Sequence, residues 1–273
     1  MEKMEQPISK IEKIEPKLVL RFLRHSKKER VLEEVEDKDI PLSVEGRDLA
    51  AIKYETPLDF RYGHVVGSPR IRTQETGAVA ATQNSETILE DLGVGKVRVD
   101  ESLDFFVDDT LYGKRFHKAY AEGNLMSFIV HESDIIAKET EDVSSSTYSR
   151  MAANIARIIY RNFEIASRGA SVLAQSENTE NKQNDFERII ATHAGIQESF
   201  LFKVVEVIKG REEREALLSL IGETGVDFTE GFDVILSKEN GEEKIRIVYK
   251  KGEYVFDEVV SADSLKRIIE EGE

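Results

Sequence analysis

Two short apolar runs, each stopping on a histidine, constrain this chain more than any other feature. Leu18 to Leu23, inside LVLRFLRH, reads as a buried strand in which Arg21 is the awkward member. Ile189-Ile190-Ala191-Thr192, which ends at His193, is a strand of the fully buried type. Continuous apolar strands belong inside a sheet covered on both faces, the usual setting of parallel strands. The segments between them supply the covering helices. Pro41-Leu42-Ser43 opens a helix through Ala51, with Ser43 as N-cap and Glu45 suited to the dipole of the first turn. Gly63 to Gly67 is a short strand, Ile71 to Gln83 is helical, and Val97 to Val99 is a further strand. Ser149 to Ala166 is an amphipathic helix with Met151, Ile155, Ile158, Ile159 and Phe163 at helical spacing. Another helix follows His193, and residues 232–257 read as antiparallel strands around the hairpin signal Asn240-Gly241. Residues 100–135 read as irregular apart from a helix near Lys114 to Glu122.

Strands alternating with helices and closed by a hairpin predict an α/β fold: a three-layer α/β/α sandwich with a mostly parallel central sheet and a C-terminal antiparallel hairpin. Residues 1–16 are a charged lead-in ending at Pro16, and 17–273 are expected to form a single domain with a variable segment at about 100–148.

Charge and composition narrow the function. The 273-residue chain has a formal net charge of -15, which argues against a nucleic-acid partner, since duplex binding rests on neutralising phosphates. No apolar run approaches the roughly 20 residues that span a bilayer, and the N-terminus lacks the apolar core of a secretory signal, so no membrane role is expected. Cysteine is absent, which removes disulfides, thiolate metal sites and a cysteine nucleophile and suits a cytoplasmic protein.

Against this acidic background Arg24, His25, Lys27 and Lys28 form a cationic knot. Packed like charges repel, and the arrangement is tolerable where a dianion usually sits among them. In open α/β sheets ligands bind beyond the carboxyl ends of the strands. His25 and His193 both stand at such ends, and the strand before Ser68-Pro69-Arg70-Ile71-Arg72 delivers two arginines to a third. Guanidinium forks match phosphate oxygens, and an oriented imidazole can attack phosphorus.

Four stretches, taken in order, resemble the histidine phosphatase superfamily, which includes phosphoglycerate mutase-like enzymes and acid phosphatases. Leu23-Arg24-His25-Ser26 looks like its strand-terminal Arg-His-Gly. Leu42 to Ala50 is similar to its Leu-Thr-x-x-Gly-x-x-Gln-Ala segment, and Ser68 to Thr76 to its Ser-x-x-x-Arg-Ala-x-Gln-Thr segment. Ala191-Thr192-His193-Ala194-Gly195 resembles its strand ending in a second histidine. The resemblance covers residues 18–83 and 149–208, and little of the middle.

It implies a phosphatase acting through a transient phosphohistidine on His25. Arg24, Arg72 and His193 would hold the phosphoryl oxygens, with Ser26 and Lys28 as further substrate contacts. No metal or other cofactor is implied, because the arginines supply the positive charge. The implied partner is a small phosphorylated substrate or a phosphoprotein. Ser26 replaces the usual glycine, and Lys27-Lys28-Glu29 departs from the common continuation. For the proton donor the chain offers Glu101, Asp104, Asp108 and Asp109, of which Asp109 ranks first and Asp104 second. A binding protein that has lost its proton donor, and a phosphoglycerate mutase-type phosphotransferase, are the alternatives. Arg70 reads as a surface or rim residue and Arg21 as snorkelling or paired with a carboxylate. His64, His117 and His131 read as structural or exposed.

Overall fold

The computed structural model describes residues 17–30, 35–175, 185–239 and 242–273. The lead-in at 1–16, most of the polar loop at 175–185 and the Asn240-Gly241 turn lie outside the described residues.

Among the described residues seven strands form one mixed sheet. β1 (Leu18–Arg24), β2 (Gly63–Gly67), β3 (Val97–Val99) and β4 (Phe186–Thr192) are mutually parallel, in the order β3-β2-β4-β1. β5 (Gly231–Glu239) runs antiparallel against β1, followed by β6 (Glu242–Lys251) and β7 (Tyr254–Val260). The C-terminal antiparallel strands thus close the parallel sheet along the β1 side, as expected. β1 and β4 occupy its interior, as their apolar runs require.

Alternation along β1 divides the core between the two faces of the sheet. Leu18, Leu20 and Phe22 join Ile190 in the larger apolar cluster. Leu23 joins Val65, Ile189 and Ala191 in a smaller one on the other face. The larger cluster takes in α6 (Tyr148–Gln175), α7 (Ile196–Lys209), α8 (Arg211–Ile221) and α9 (Ala262–Glu271). The smaller is closed by α2 (Ile71–Thr82), which packs against α1 (Val44–Ala51). α2 is built from small residues on its buried side, Ala78, Ala80 and Ala81, so it can lie close to the strands. Gly77 is its closest point: a Cβ there would stand 2.4 Å from a methyl of Val65.

The middle segment differs from expectation. Residues 100–135, read as mostly irregular, hold α3 (Leu111–Glu122) and α4 (Leu125–His131), and α5 (Ser133–Glu139) follows. α3 begins earlier than predicted and buries Tyr112, Phe116 and Ala119 on one side. α4 buries Met126, Phe128, Ile129 and Val130, an apolar run too short to display a period. α6 matches the predicted amphipathic helix and runs beyond it at the C-terminal end. No helix among the described residues is long and apolar enough to cross a membrane.

Candidate active site

Strand register brings the two histidines together. Arg24 of β1 is paired with Thr192 of β4, so His25 and His193 are the next residues out of the same sheet edge. The backbone N–H of His25 donates to the Thr192 carbonyl at 2.8 Å, extending the pairing one step past the strands. The two imidazoles meet edge to face with centroids 5.1 Å apart. Gly67 of β2 pairs with Ala191 of β4, which puts Ser68 at the same edge. The Ser68 hydroxyl lies 2.8 Å from Nε2 of His193.

His25 is held in one tautomer. Its Nδ1 lies 2.7 Å from the Ser26 carbonyl, which only accepts, so Nδ1 carries the hydrogen and Nε2 the lone pair. Burial pushes the ring far down, to about 2, aided by His193, Arg72 and Arg24 and opposed by the Ser26 bond. His25 is therefore a neutral imidazole at neutral pH. His193, also lowered by burial, is partly compensated by Asp104, whose Oδ1 lies 3.4 Å from its Nε2.

Asp104 follows a short 3-10 turn, Glu101–Leu103, fixed to the end of β4 by a 2.9 Å bond from the Thr192 hydroxyl to the Leu103 carbonyl. Burial favours its neutral form, but bonds from His193, Arg70 and the Phe105 amide outweigh it and hold the carboxyl at about 2. Arg70 Nε donates to that carboxylate at 2.5 Å. Arg70, expected at the surface or rim, is half-buried and joined through this carboxylate to the histidine pair. Sequence spacing gave one hint, its position two residues before Arg72. Asp109 sits elsewhere: it is exposed just before α3, and its backbone N–H donates to Asp108.

Arg72 is buried at the start of α2, and its guanidinium grips Asp37 twice, at the main-chain carbonyl (2.6 Å) and the carboxylate (2.9 Å). Lys28 Nζ donates to the same carboxylate at 2.7 Å, and Arg70 donates to it as well. Asp37 was not singled out in the sequence. It lies in a polar stretch, and only contacts from two other segments give it a place.

Two expected substrate contacts are otherwise engaged. Arg24 Nη1 donates to the carbonyls of Thr224 (3.0 Å) and Val226 (2.6 Å), and its guanidinium lies over Phe228. The Ser26 N–H donates to the Thr76 hydroxyl at 3.0 Å instead of pointing free. The Leu42 to Ala50 segment explains itself here. Ser43 caps α1 by accepting from the Gly46 N–H, as its position predicted, and its own backbone N–H donates to the Lys27 carbonyl at 3.0 Å. A Cβ on Gly46 would come within 2.1 Å of that carbonyl, so only glycine lets α1 support the Ser26-Lys27-Lys28 stretch this closely.

The loop facing the histidines is braced from below by Glu198 in the first turn of α7. Its fully buried carboxylate accepts from the Gly195 N–H at 2.7 Å and the Val226 N–H at 2.9 Å. Among the remaining candidates, Arg21 pairs with Glu187 and stacks on Tyr54, as expected of an arginine on a covered face. His131 pairs with Glu215 at 3.3 Å, His117 packs on Phe116, and His64 is half-buried on β2. A surface cavity of about 380 Å³ lies apart from the histidines, lined by residues that include Asp134, Asp142 and Arg150. The Asp134 carboxylate there accepts from Ser149, and that of Asp142 from Ser144 and Ser145.

Neither a protein-family model nor a curated protein matches the chain. Solved structures with a similar overall path include a phosphoglycerate mutase from Bacillus anthracis, at 14% identity over 93% of this chain and 97% of that one, with a TM-score of 0.44. They also include a mycobacterial hydrolase (16% identity, 85% and 96% of the two chains, TM-score 0.45). A third is a mycobacterial glucosyl-3-phosphoglycerate phosphatase (16%, 82% and 91%, TM-score 0.41). Likeness of this degree says nothing about what the chain does.

Proposed function

We propose that this protein is a metal-independent phosphomonoester hydrolase whose nucleophile is Nε2 of His25. The observation that carries the reading is the neutral His25 ring, fixed by Ser26 with its lone pair on Nε2, set edge to face against His193 at the end of two paired strands. A free imidazole lone pair next to a group of buried and half-buried cations is what attack on a phosphate dianion requires.

In the proposed reaction Nε2 bonds to phosphorus as the ester P–O bond breaks, and the departing oxygen takes a proton from Asp104. Water then attacks phosphorus, forming a P–O bond as the P–N bond breaks, and gives a proton to the Asp104 carboxylate, which releases inorganic phosphate and restores the His25 lone pair. Lys28, Arg70 and Arg72 supply the positive charge around the transferred group. Asp104 is preferred to Asp109 as the acid because it touches His193 and Arg70, whereas Asp109 is exposed before α3. In the free protein Asp104 is ionised. A dianion entering beside it adds negative charge and competes for Arg70, and both effects raise its pKa, the direction a proton donor needs.

The test is release of inorganic phosphate from an aryl phosphate with no metal added, compared with His25→Ala. Turnover that vanishes in the variant supports the reading. Equal turnover in both, or none in either, overturns it.

A further inference from the structure

Asp37 sits in a short 3-10 turn, Asp37–Asp39, and its carboxylate is the meeting point of three cations from two segments. Lys28 reaches it from the stretch after β1, and Arg70 and Arg72 from the start of α2. The same Arg70 guanidinium holds Asp104 through Nε, and Asp104 contacts His193. One guanidinium therefore spans the gap between the Asp37 carboxylate and the histidine pair.

The fit of Asp37 to this seat is incomplete. Arg72 is buried, yet among the described residues its Nε has no acceptor while both of its terminal nitrogens are spent on Asp37. A carboxylate is planar and brings two oxygens. A phosphoryl group is tetrahedral and brings a third. Charge leads to the same conclusion: among the described residues the three cations pair only with the Asp37 and Asp104 carboxylates, which leaves one positive charge unmatched there, and a dianion in place of Asp37 would match it. The two anions cannot share the seat without like-charge repulsion. The Asp37 side chain is 45% exposed, that of Arg70 21% and that of Arg72 only 7%, so the carboxylate stands on the open side of the two guanidinium groups, beside the equally exposed Lys28, and can leave toward solvent.

We propose that Asp37 is a tethered occupant of the anion seat formed by Lys28, Arg70 and Arg72, and that a phosphoryl dianion takes the seat by displacing it. This rests on the phosphatase reading above and adds to it an internal competitor. Substrate affinity is then reduced by the fraction of molecules in which the seat is open. Contacts to three cations, discounted for a half-exposed carboxylate, correspond to roughly a tenfold preference for the occupied state.

The experiment is calorimetric titration with inorganic phosphate, which needs no turnover, on wild type, Asp37→Asn, Asp37→Ala, Asp39→Asn and Arg72→Ala. Asp37→Asn keeps the shape of the side chain, and Asp37→Ala removes it. Both should bind phosphate about tenfold more tightly than wild type, and Asp39→Asn, which deletes the same charge from the same turn, should change it little. Unchanged or weaker binding by both Asp37 variants would overturn the proposal and make Asp37 a fixed support for Arg72. An equal gain from Asp39→Asn would also overturn it, by assigning the effect to net charge. If Arg72→Ala binds phosphate as wild type does, the anion seat itself is misplaced and the phosphatase reading falls with it.

Discussion

Glu198→Ala removes the carboxylate that holds two loops beneath the histidines. In the folded protein its Oε2 accepts from Gly195 at 2.7 Å and its Oε1 from Val226 at 2.9 Å, and no part of Glu198 reaches solvent. Gly195 and Val226 are themselves buried, so neither amide can turn to water once the acceptor is gone. Leaving a buried donor unsatisfied costs about 1–3 kcal/mol, which puts the two together at about 2–6 kcal/mol. Burying the carboxylate has its own cost, visible in the upward push that burial gives its pKa, and the variant recovers part of it. About 3 kcal/mol of net destabilisation is expected. Urea unfolding followed by far-UV circular dichroism measures it, as a lower midpoint at unchanged slope. A loss below about 1 kcal/mol would refute the argument that the two amides depend on this carboxylate.

Asp104→Asn should cripple hydrolysis of alkyl phosphates and largely spare nitrophenyl phosphate, because an alkoxide needs a proton to depart and a nitrophenolate does not. Equal losses on both substrates would deny Asp104 the role of acid, and Asp109→Asn is the companion measurement. The folded state also predicts an acid sensitivity. His25 and His193 are lowered chiefly by burial, His25 to about 2, so between that value and the ordinary histidine pKa the unfolded chain binds more protons. Stability should therefore be fully present above about pH 6.5 and fall as pH drops below it, by up to about 1.4 kcal/mol per pH unit for each proton. Thermal unfolding from pH 7 to 4 checks the slope, and His25→Gln should flatten it; a variant that follows the wild-type slope would contradict the account.

The sheet edge was legible because continuous apolar runs admit few placements. A strand like Ile189 to Thr192 must be interior, and its neighbour must be another of the same kind, so pairing β1 with β4 sets His25 beside His193. The cationic knot after β1 is dispersed in the structure: Lys27 pairs with Glu45, Arg24 turns to main-chain carbonyls, His25 is neutral, and only Lys28 reaches the anion shared with Arg70 and Arg72. What could not be read was which anion is there. Asp37 meets Arg70 and Arg72 across 33 and 35 residues, and even toward Lys28, nine residues away, nothing local distinguishes it from Glu36 or Asp39. Arg24 was misdirected in the same way, because its partners are main-chain carbonyls at 224 and 226, and backbone acceptors leave no mark in a residue pattern. In the middle segment, α4 and α5 are too short for helical period to separate them from a loop.

Trapping of the covalent intermediate tests the central claim most directly. Rapid quenching during turnover of a ³²P-labelled phosphomonoester should yield a phosphoprotein that is labile in acid and stable in base, with the label on the peptide containing His25. His25→Ala should yield none. A labelled adduct of the same stability in His25→Ala would contradict the assignment of His25 as the nucleophile.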